Sequence, residues 1–198
     1  MHQLKFSVSR VFMALCFFSS SVFAVPQNYV LDPFHTAVTW HVSHFGFSNP
    51  SGKWYANGTM VFDDANPTTS SVNVNISIAK LVTGIPKLDY NLLGSAFLNA
   101  QKYPTATFVS NRIVMKSKTS GELFGNLTLH GVTNPVILTV QYNKVGIDPI
   151  TNKKTVGFSA TTTIDRSDFG ITTYIPGISD EVKLDIEVEA AIVNDTGK

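Results

Sequence analysis

Apolar and polar residues alternate along much of this chain with a period of two. From Ser71 to Ile78 the alternation puts Val72, Val74, Ile76 and Ile78 on one side and only uncharged polar residues on the other. From Glu181 to Glu189 it sets Val182, Leu184, Ile186 and Val188 against five charged residues. Successive side chains of a strand point to opposite faces, so each stretch predicts an antiparallel strand with one buried face. Six more strands are expected at 37–44, 53–62, 106–115, 122–129, 136–143 and 156–164. Turn signals at Asn66-Pro67, Ser120-Gly121, Asn134-Pro135 and Asp148-Pro149 lie between strands, whereas Asn57-Gly58 falls inside one. The result is an all-β chain of about eight strands.

One segment departs from this pattern. Leu88, Leu92 and Ala96 recur at helical spacing with Leu93 and Phe97 beside them, which predicts a short amphipathic helix over 87–99, stopped by Tyr103-Pro104. Gly94 weakens that helix by about 1 kcal/mol relative to alanine. Eight antiparallel strands can form a sandwich or a closed barrel, and periodicity does not choose between them. A barrel of about eight strands either fills with side chains or holds one small ligand. The charged face of 181–189 argues against a membrane-inserted barrel, whose outer band is apolar.

Residues 1–24 read as a secretory signal. Lys5 and Arg10 precede an apolar run from Val11 to Phe18, and Val22-Phe23-Ala24 supplies a cleavage site after Ala24. The run is shorter than the about 20 residues a membrane-spanning helix needs. Cys16 lies within it and follows Leu15, too large for a lipoprotein signal. The expected location is the periplasm or outside the cell, with residues 25–198 forming a single barrel domain. Cleavage removes Lys5, Arg10 and Cys16, and the 15 Lys and Arg fall to 13 against 14 Asp and Glu. Such a chain has no disulfide and relies on core burial. Its balanced charge offers no field for nucleic acid or an anionic membrane surface.

Candidate chemistry is sparse. His41 and His44 form an H-x-x-H, but residues three apart on a strand face opposite ways and no cysteine or carboxylate accompanies them, so no metal site is expected. Asp168-Phe169-Gly170 resembles the metal-binding triplet of kinases without the rest of that set. No carboxylate pair or nucleophile elbow is evident, and no catalytic residue is proposed. Aromatic and large aliphatic residues do cluster in the N-terminal half: Phe34, Trp40, Phe45, Phe47, Trp54 and Phe62, then Leu88, Leu92 and Phe97. They could fill a core or line a pocket, and composition does not separate these readings.

Several ordered motifs carry a family resemblance. Leu31-Asp32-Pro33-Phe34-His35-Thr36 is followed by His44-Phe45-Gly46, then by Phe97-Leu98-Asn99-Ala100 with Tyr103-Pro104 and Phe108. After these come Gly125 to Thr133, and Arg166-Ser167-Asp168-Phe169-Gly170-Ile171 leading to Asp180-Glu181-Val182. From about Tyr29 to Ala190 the chain resembles the YceI-like, polyisoprenoid-binding family. The resemblance implies an eight-stranded antiparallel lipocalin-like barrel, exported, with a helix beside it and an apolar pore. It implies a long apolar lipid such as a polyisoprenoid or ubiquinone as ligand, no required cofactor and no enzyme activity.

On that resemblance the nine apolar residues above are expected to line the pore, while His35, His44, Asp89, Arg166 and Asp168 match family positions near a head group or mouth. The same polar residues could instead fasten loops, Arg166 pairing with Asp168. Where the family commonly shows His-Leu-Arg-Ser-x-Asp, this chain has Asn91-Leu92-Leu93-Gly94-Ser95-Ala96, which points to a different or less polar head group. The alternative is an exported stress-response barrel with a filled core and no ligand. Whether the barrel forms a homodimer stays open.

Overall fold

The computed structural model describes residues 25–193. The expected signal segment, 1–24, lies outside the described residues. Nine strands form one closed antiparallel sheet: β1 (Gln27–Leu31), β2 (Ala37–His41), β3 (Ser51–Phe62), β4 (Ser71–Ser77), β5 (Thr105–Met115), β6 (Ser120–Leu129), β7 (Val132–Ile147), β8 (Lys154–Asp165) and β9 (Glu181–Ile192). Strands β3 to β9 follow one another around the ring, and β1 and β2 share the remaining place between β9 and β3. Val30 of β1 pairs with Thr59 and Ala191, and Val38 of β2 with Trp54 and Ile186. They are two halves of one interrupted strand, so the nine segments make an eight-stranded barrel. Alternation predicted the second half and missed the first, a five-residue piece in which only Tyr29 and Leu31 face inward.

The interruption has a chemical cause. Pro33 has no N–H for a ladder, and Asp32 turns the chain outward by accepting the Phe34 amide on Oδ1 at 2.8 Å and the Thr36 amide on its carbonyl at 2.9 Å. Buried Thr36 then rejoins the sheet, its hydroxyl donating to the Glu189 carbonyl at 3.0 Å.

Two expected turns move. Strands β6 and β7 meet at His130-Gly131, both with positive φ (+52° and +78°), the geometry of a two-residue hairpin. Asn134-Pro135 is not a turn; Pro135 lies within β7 opposite Asn126. Pairing of β7 with β8 begins only at Thr139, so Pro135 has a side on which no ladder partner is required. Ser120-Gly121 likewise opens β6 rather than preceding it.

The helix is shorter than its spacing predicts. Helix α1 covers Pro86–Leu93, with proline in the first turn, where a missing N–H costs nothing. Gly94 leaves the helix with ψ of 170°, and the chain folds back: the Leu98 amide donates to the Leu92 carbonyl and the Ala100 amide to that of Leu93. Leu93 and Leu98 thereby still pack on the barrel, against Val38, Ala56 and Ile76.

The alternation decides inside from outside. Val182, Leu184, Ile186 and Val188 turn inward while Lys183, Asp185 and Glu187 are exposed. This arrangement is the reverse of a membrane-spanning barrel. No helix among the described residues is long and apolar enough to cross a membrane. The two barrel ends differ. One carries the loops 42–50, 78–104 (with α1), 130–131 and 166–180, and is called the helix end below. The other, the hairpin end, carries the connections 63–70, 116–119 and 148–153.

Candidate functional site

Two cavities occupy the barrel interior. One, of about 190 Å³, lies at the helix end between Trp40, Trp54, Leu88, Leu92, Phe97 and Ile171. The other, of about 240 Å³, extends toward the hairpin end past Met60, Phe62, Val72, Leu123, Tyr142 and Phe158. Val38, Ile76, Leu127 and Leu184 line both, so the two adjoin across a common apolar girdle. Taken together they reach the lower part of the range of small-molecule sites, about 300–1,000 Å³. The walls are the inward faces of β2 to β9, and the alternation of each strand therefore builds the site.

The expected lining residues divide. Trp40, Trp54, Leu88, Leu92 and Phe97 line the first cavity and Phe62 the second. Phe34, Phe45 and Phe47 line neither. Phe34 is 80% exposed because the chain loops out at the strand break. Phe45 and Phe47 lie beyond the end of β2; the Phe45 ring packs over Gly177, where a Cβ would come within 2.3 Å of it, and Phe47 is 91% exposed. Nearness in sequence to Trp40 was no guide, since past His41 the chain has left the strand and parity no longer sets direction.

Among the polar residues, His44 and Arg166 reach the first cavity. Arg166, 6% exposed, directs its guanidinium away from a ligand and onto the loop around it. Nε donates to the Ser179 carbonyl at 2.9 Å, Nη1 to Ile171 at 2.9 Å, and Nη2 to Thr173 at 2.9 Å and Ile178 at 3.0 Å. Burial pulls its pKa down, and the charge of Asp180 opposes that. The expected Arg166–Asp168 pair is not formed. Asp180 is the structural acid here, accepting the Ser167 hydroxyl and amide, and the hydroxyl bond above all holds its pKa low.

The other polar residues lie away from the cavities. Asp89 accepts the Thr83 amide at 2.9 Å and hydroxyl at 2.6 Å, fixing the entry to α1. Asp168 offers its carbonyl to Asn134 Nδ2. His35 sits at the strand break, Nδ1 2.9 Å from Asp32 Oδ2 and 4.0 Å from Glu189 Oε2. These three residues are the one group of described residues with metal-compatible spacing, and His35 is largely exposed. The bond to Asp32 raises the His35 pKa. On Asp32 burial acts upward, and the bonds from His35 and the Phe34 amide outweigh it, leaving the carboxyl low. His41 pairs with Asp185 at 3.0 Å on the outer wall, apart from His44.

What polarity remains near the first cavity is slight. Trp54 Nε1 donates to the Ile78 carbonyl at 3.0 Å, whereas the buried Trp40 Nε1 has no partner. Leu93, at the arginine position of the family pattern, packs among apolar neighbours, and Asn91 and Ala96 are exposed. Sequence reasoning missed most of the lining. Ile76, Leu127 and Leu184 were legible as inward members of alternating strands; Pro50, Ile171 and Ile178 come from loops, and no pattern marks them.

The comparisons agree with this architecture. A model of the YceI-like domain matches residues 29–190. A UPF0312 protein of Pseudomonas putida (strain W619) is 36% identical over 157 residues, covering 78% of this chain and 80% of that one. Burkholderia cenocepacia BcnA superposes with a TM-score of 0.73 at 22% identity, over 80% of this chain and 98% of that one. A polyisoprenoid binding domain from Saccharophagus degradans shares the fold with a TM-score of 0.60 at 15% identity, over 83% and 98%. An eight-position closed barrel, its ordered motifs and a domain match across most of its length place this chain in the YceI-like family.

Proposed function

We propose that this chain is a periplasmic binding protein that holds one long apolar lipid, of the polyisoprenoid or quinone type, along the barrel axis. The observation that carries the reading is the pair of adjoining apolar cavities joined at Val38, Ile76, Leu127 and Leu184. A linear hydrocarbon fits such a shape, and the cavities weigh against the filled-core alternative. The Saccharophagus domain of this fold is named for polyisoprenoid binding, which supports the ligand class.

The head group is neutral in this reading. Four of the five Arg166 N–H groups already serve carbonyls, and Leu93 stands where the family has a charged side chain. A phosphate would meet Arg166 with only one N–H left to donate, whereas a quinone carbonyl carries no charge to be compensated in so apolar a lining.

Burying a chain gains about 0.8 kcal/mol per CH₂ relative to water. A lipid taken from a bilayer is already dry, so the net gain on loading is small. The protein suits carriage across water better than storage. Organic extraction of the protein purified from its host, followed by mass spectrometry, is expected to yield an isoprenoid lipid. Purified protein should also quench its Trp40 and Trp54 fluorescence on adding ubiquinone, and Leu127→Trp, which fills the girdle, should abolish loading. An empty extract together with no quinone binding overturns the proposal.

A further inference from the structure

The helix end carries a second feature besides the cavity. Phe45, Phe47, Tyr90 and Tyr174 are four of the six exposed aromatic side chains among the described residues, and all four stand on loops of this end. Among the described residues the large hydrophobic side chains exposed at the hairpin end, such as Ile147 and Ile150, are aliphatic. The four rings come from three separate segments that also supply walls of the first cavity: 42–50, α1 and 166–180. Phe45 and Tyr174 are held in place. The Phe45 amide donates to the Gly177 carbonyl at 2.6 Å, the Tyr174 ring meets Phe97 at 6.2 Å between centroids, and the Thr173 hydroxyl donates to the Ala96 carbonyl. Phe45 and Tyr174 both adopt left-handed φ, +52° and +62°, which bulky residues accept only where surrounding contacts impose it.

Charge is unevenly placed at the same end. The 78–104 connection presents exposed Lys80, Lys87 and Lys102 against one carboxylate, Asp89, which Thr83 already occupies. The 42–50 loop has no acid, and in 166–180 Asp180 is bound to Ser167. Asp168 remains, and Asp165 and Glu181 sit on the last rungs of β8 and β9. The three lysines against Asp89 make the 78–104 connection locally basic, while Asp165, Asp168, Asp180 and Glu181 place the acids of this end around the 166–180 loop. Exposed rings with flanking lysines match the boundary of a bilayer, where aromatic side chains settle at headgroup depth and lysines meet anionic phosphates.

We propose that the helix end is a peripheral docking face for an anionic phospholipid bilayer, which Phe45, Phe47, Tyr90 and Tyr174 enter to headgroup depth while Lys80, Lys87 and Lys102 contact phosphates. Docking sets the mouth of the first cavity against lipid, so a hydrocarbon chain passes between bilayer and barrel without crossing water. The purpose of docking rests on the carrier reading; the binding itself does not.

The test is flotation of the purified protein with vesicles of phosphatidylethanolamine and phosphatidylglycerol, beside vesicles of phosphatidylcholine alone. Wild type is expected to float with the anionic vesicles and to be released by high salt. The double variant Phe47→Ser, Tyr90→Ser removes two rings outside both cavities and should bind at least about tenfold more weakly, with unchanged thermal unfolding and unchanged quinone binding from detergent solution. Failure of wild type to float, or equal flotation of the variant, overturns the docking face. Equal flotation with phosphatidylcholine overturns the part given to the lysines. If wild type floats but binds no quinone, the carrier reading fails and the docking face stands.

Discussion

The two ends of the barrel close by different means. At the hairpin end the connections are short and each is fastened by its own residues: Asp63 accepts the Ala65 and Asn66 amides, and Asp148 those of Ile150 and Thr151. Beneath them Phe62 packs against Tyr29, Tyr142 and Phe158, with ring centroids 6.2, 6.1 and 5.5 Å away. Burial and the nearby Asp64 push the Tyr142 phenol up. The helix end has long loops instead, fastened both within the 166–180 loop and between loops distant in sequence, as where the Ser43 amide donates to the Ser179 hydroxyl. One guanidinium gathers four carbonyls, and Thr173 ties its loop to the turn after α1. Local closure around an aromatic cluster, past which the second cavity reaches Asp64, Pro67 and Lys118, makes an end whose connections have no reason to move. Loops joined by a few long-range bonds make an end that can admit a ligand while the barrel stays rigid.

Arg166 is the place to break this comparison most severely. Arg166→Met keeps the apolar stem but leaves buried carbonyls of the 171–179 loop without donors, at about 3 kcal/mol or more. Hydrogen exchange should rise through 166–180 and around α1, with β5 to β7 protected as before; a loss below about 1 kcal/mol, or uniform loosening, would contradict the division into two ends. Phe62→Ala should cost about 3 kcal/mol in urea unfolding, because the cluster loses a ring contacted by three others. Its effect should be global, the converse of Arg166→Met.

A milder substitution separates stability from binding. Phe97 and Leu92 are half-buried at the mouth and border the first cavity, away from the aromatic cluster around Phe62. Phe97→Ala is expected to cost no more than about 1 kcal/mol in stability and to weaken quinone binding about tenfold. A large stability loss with unaltered binding would make the helix end structural and move the ligand elsewhere.

The difference between the ends also explains what could be read in advance. Strand residues follow a period of two, so Val72, Val74, Ile76 and the apolar face of β9 were legible as interior before any coordinates. The barrel walls, and with them most of the cavity girdle, follow from that alone; closure into a barrel came from the family resemblance. Loops have no period. The positions of Phe45 and Phe47, the retreat of α1 at Gly94 and the attachment of Arg166 to carbonyls rather than Asp168 depend on loop backbone geometry that no alternation marks. Pro135 misled for a related reason: its place in β7 is harmless only because β8 has not yet joined there. Asp32 and Pro33 belong to a sequence motif, yet their role as a break within one strand follows only from the neighbours that β1 and β2 share.

That break offers the smallest and most specific test. His35 bridges Asp32 on the looped-out chain toward Glu189 of β9, with Asp148 adding to the negative field around it. The raised His35 pKa means that the folded protein holds this proton more tightly than the unfolded chain, whose histidine titrates near 6.5. Its stabilisation is therefore complete below about pH 6.5 and disappears as pH climbs through the higher folded value. Asp32 works in the opposite sense: its lowered pKa contributes above the ordinary 3.8 and fails as pH drops through the folded value. The charged pair spans the interval between those two limits. Both groups are too exposed for a large effect, and the comparison of urea midpoints for wild type and His35→Ala should show a gap at about pH 5.5 that narrows at about pH 8.5. An equal gap at both pH values would mean that His35 holds the break by shape and not by charge. The helix end should not respond in either case, because Asp148 links the break to the hairpin end alone.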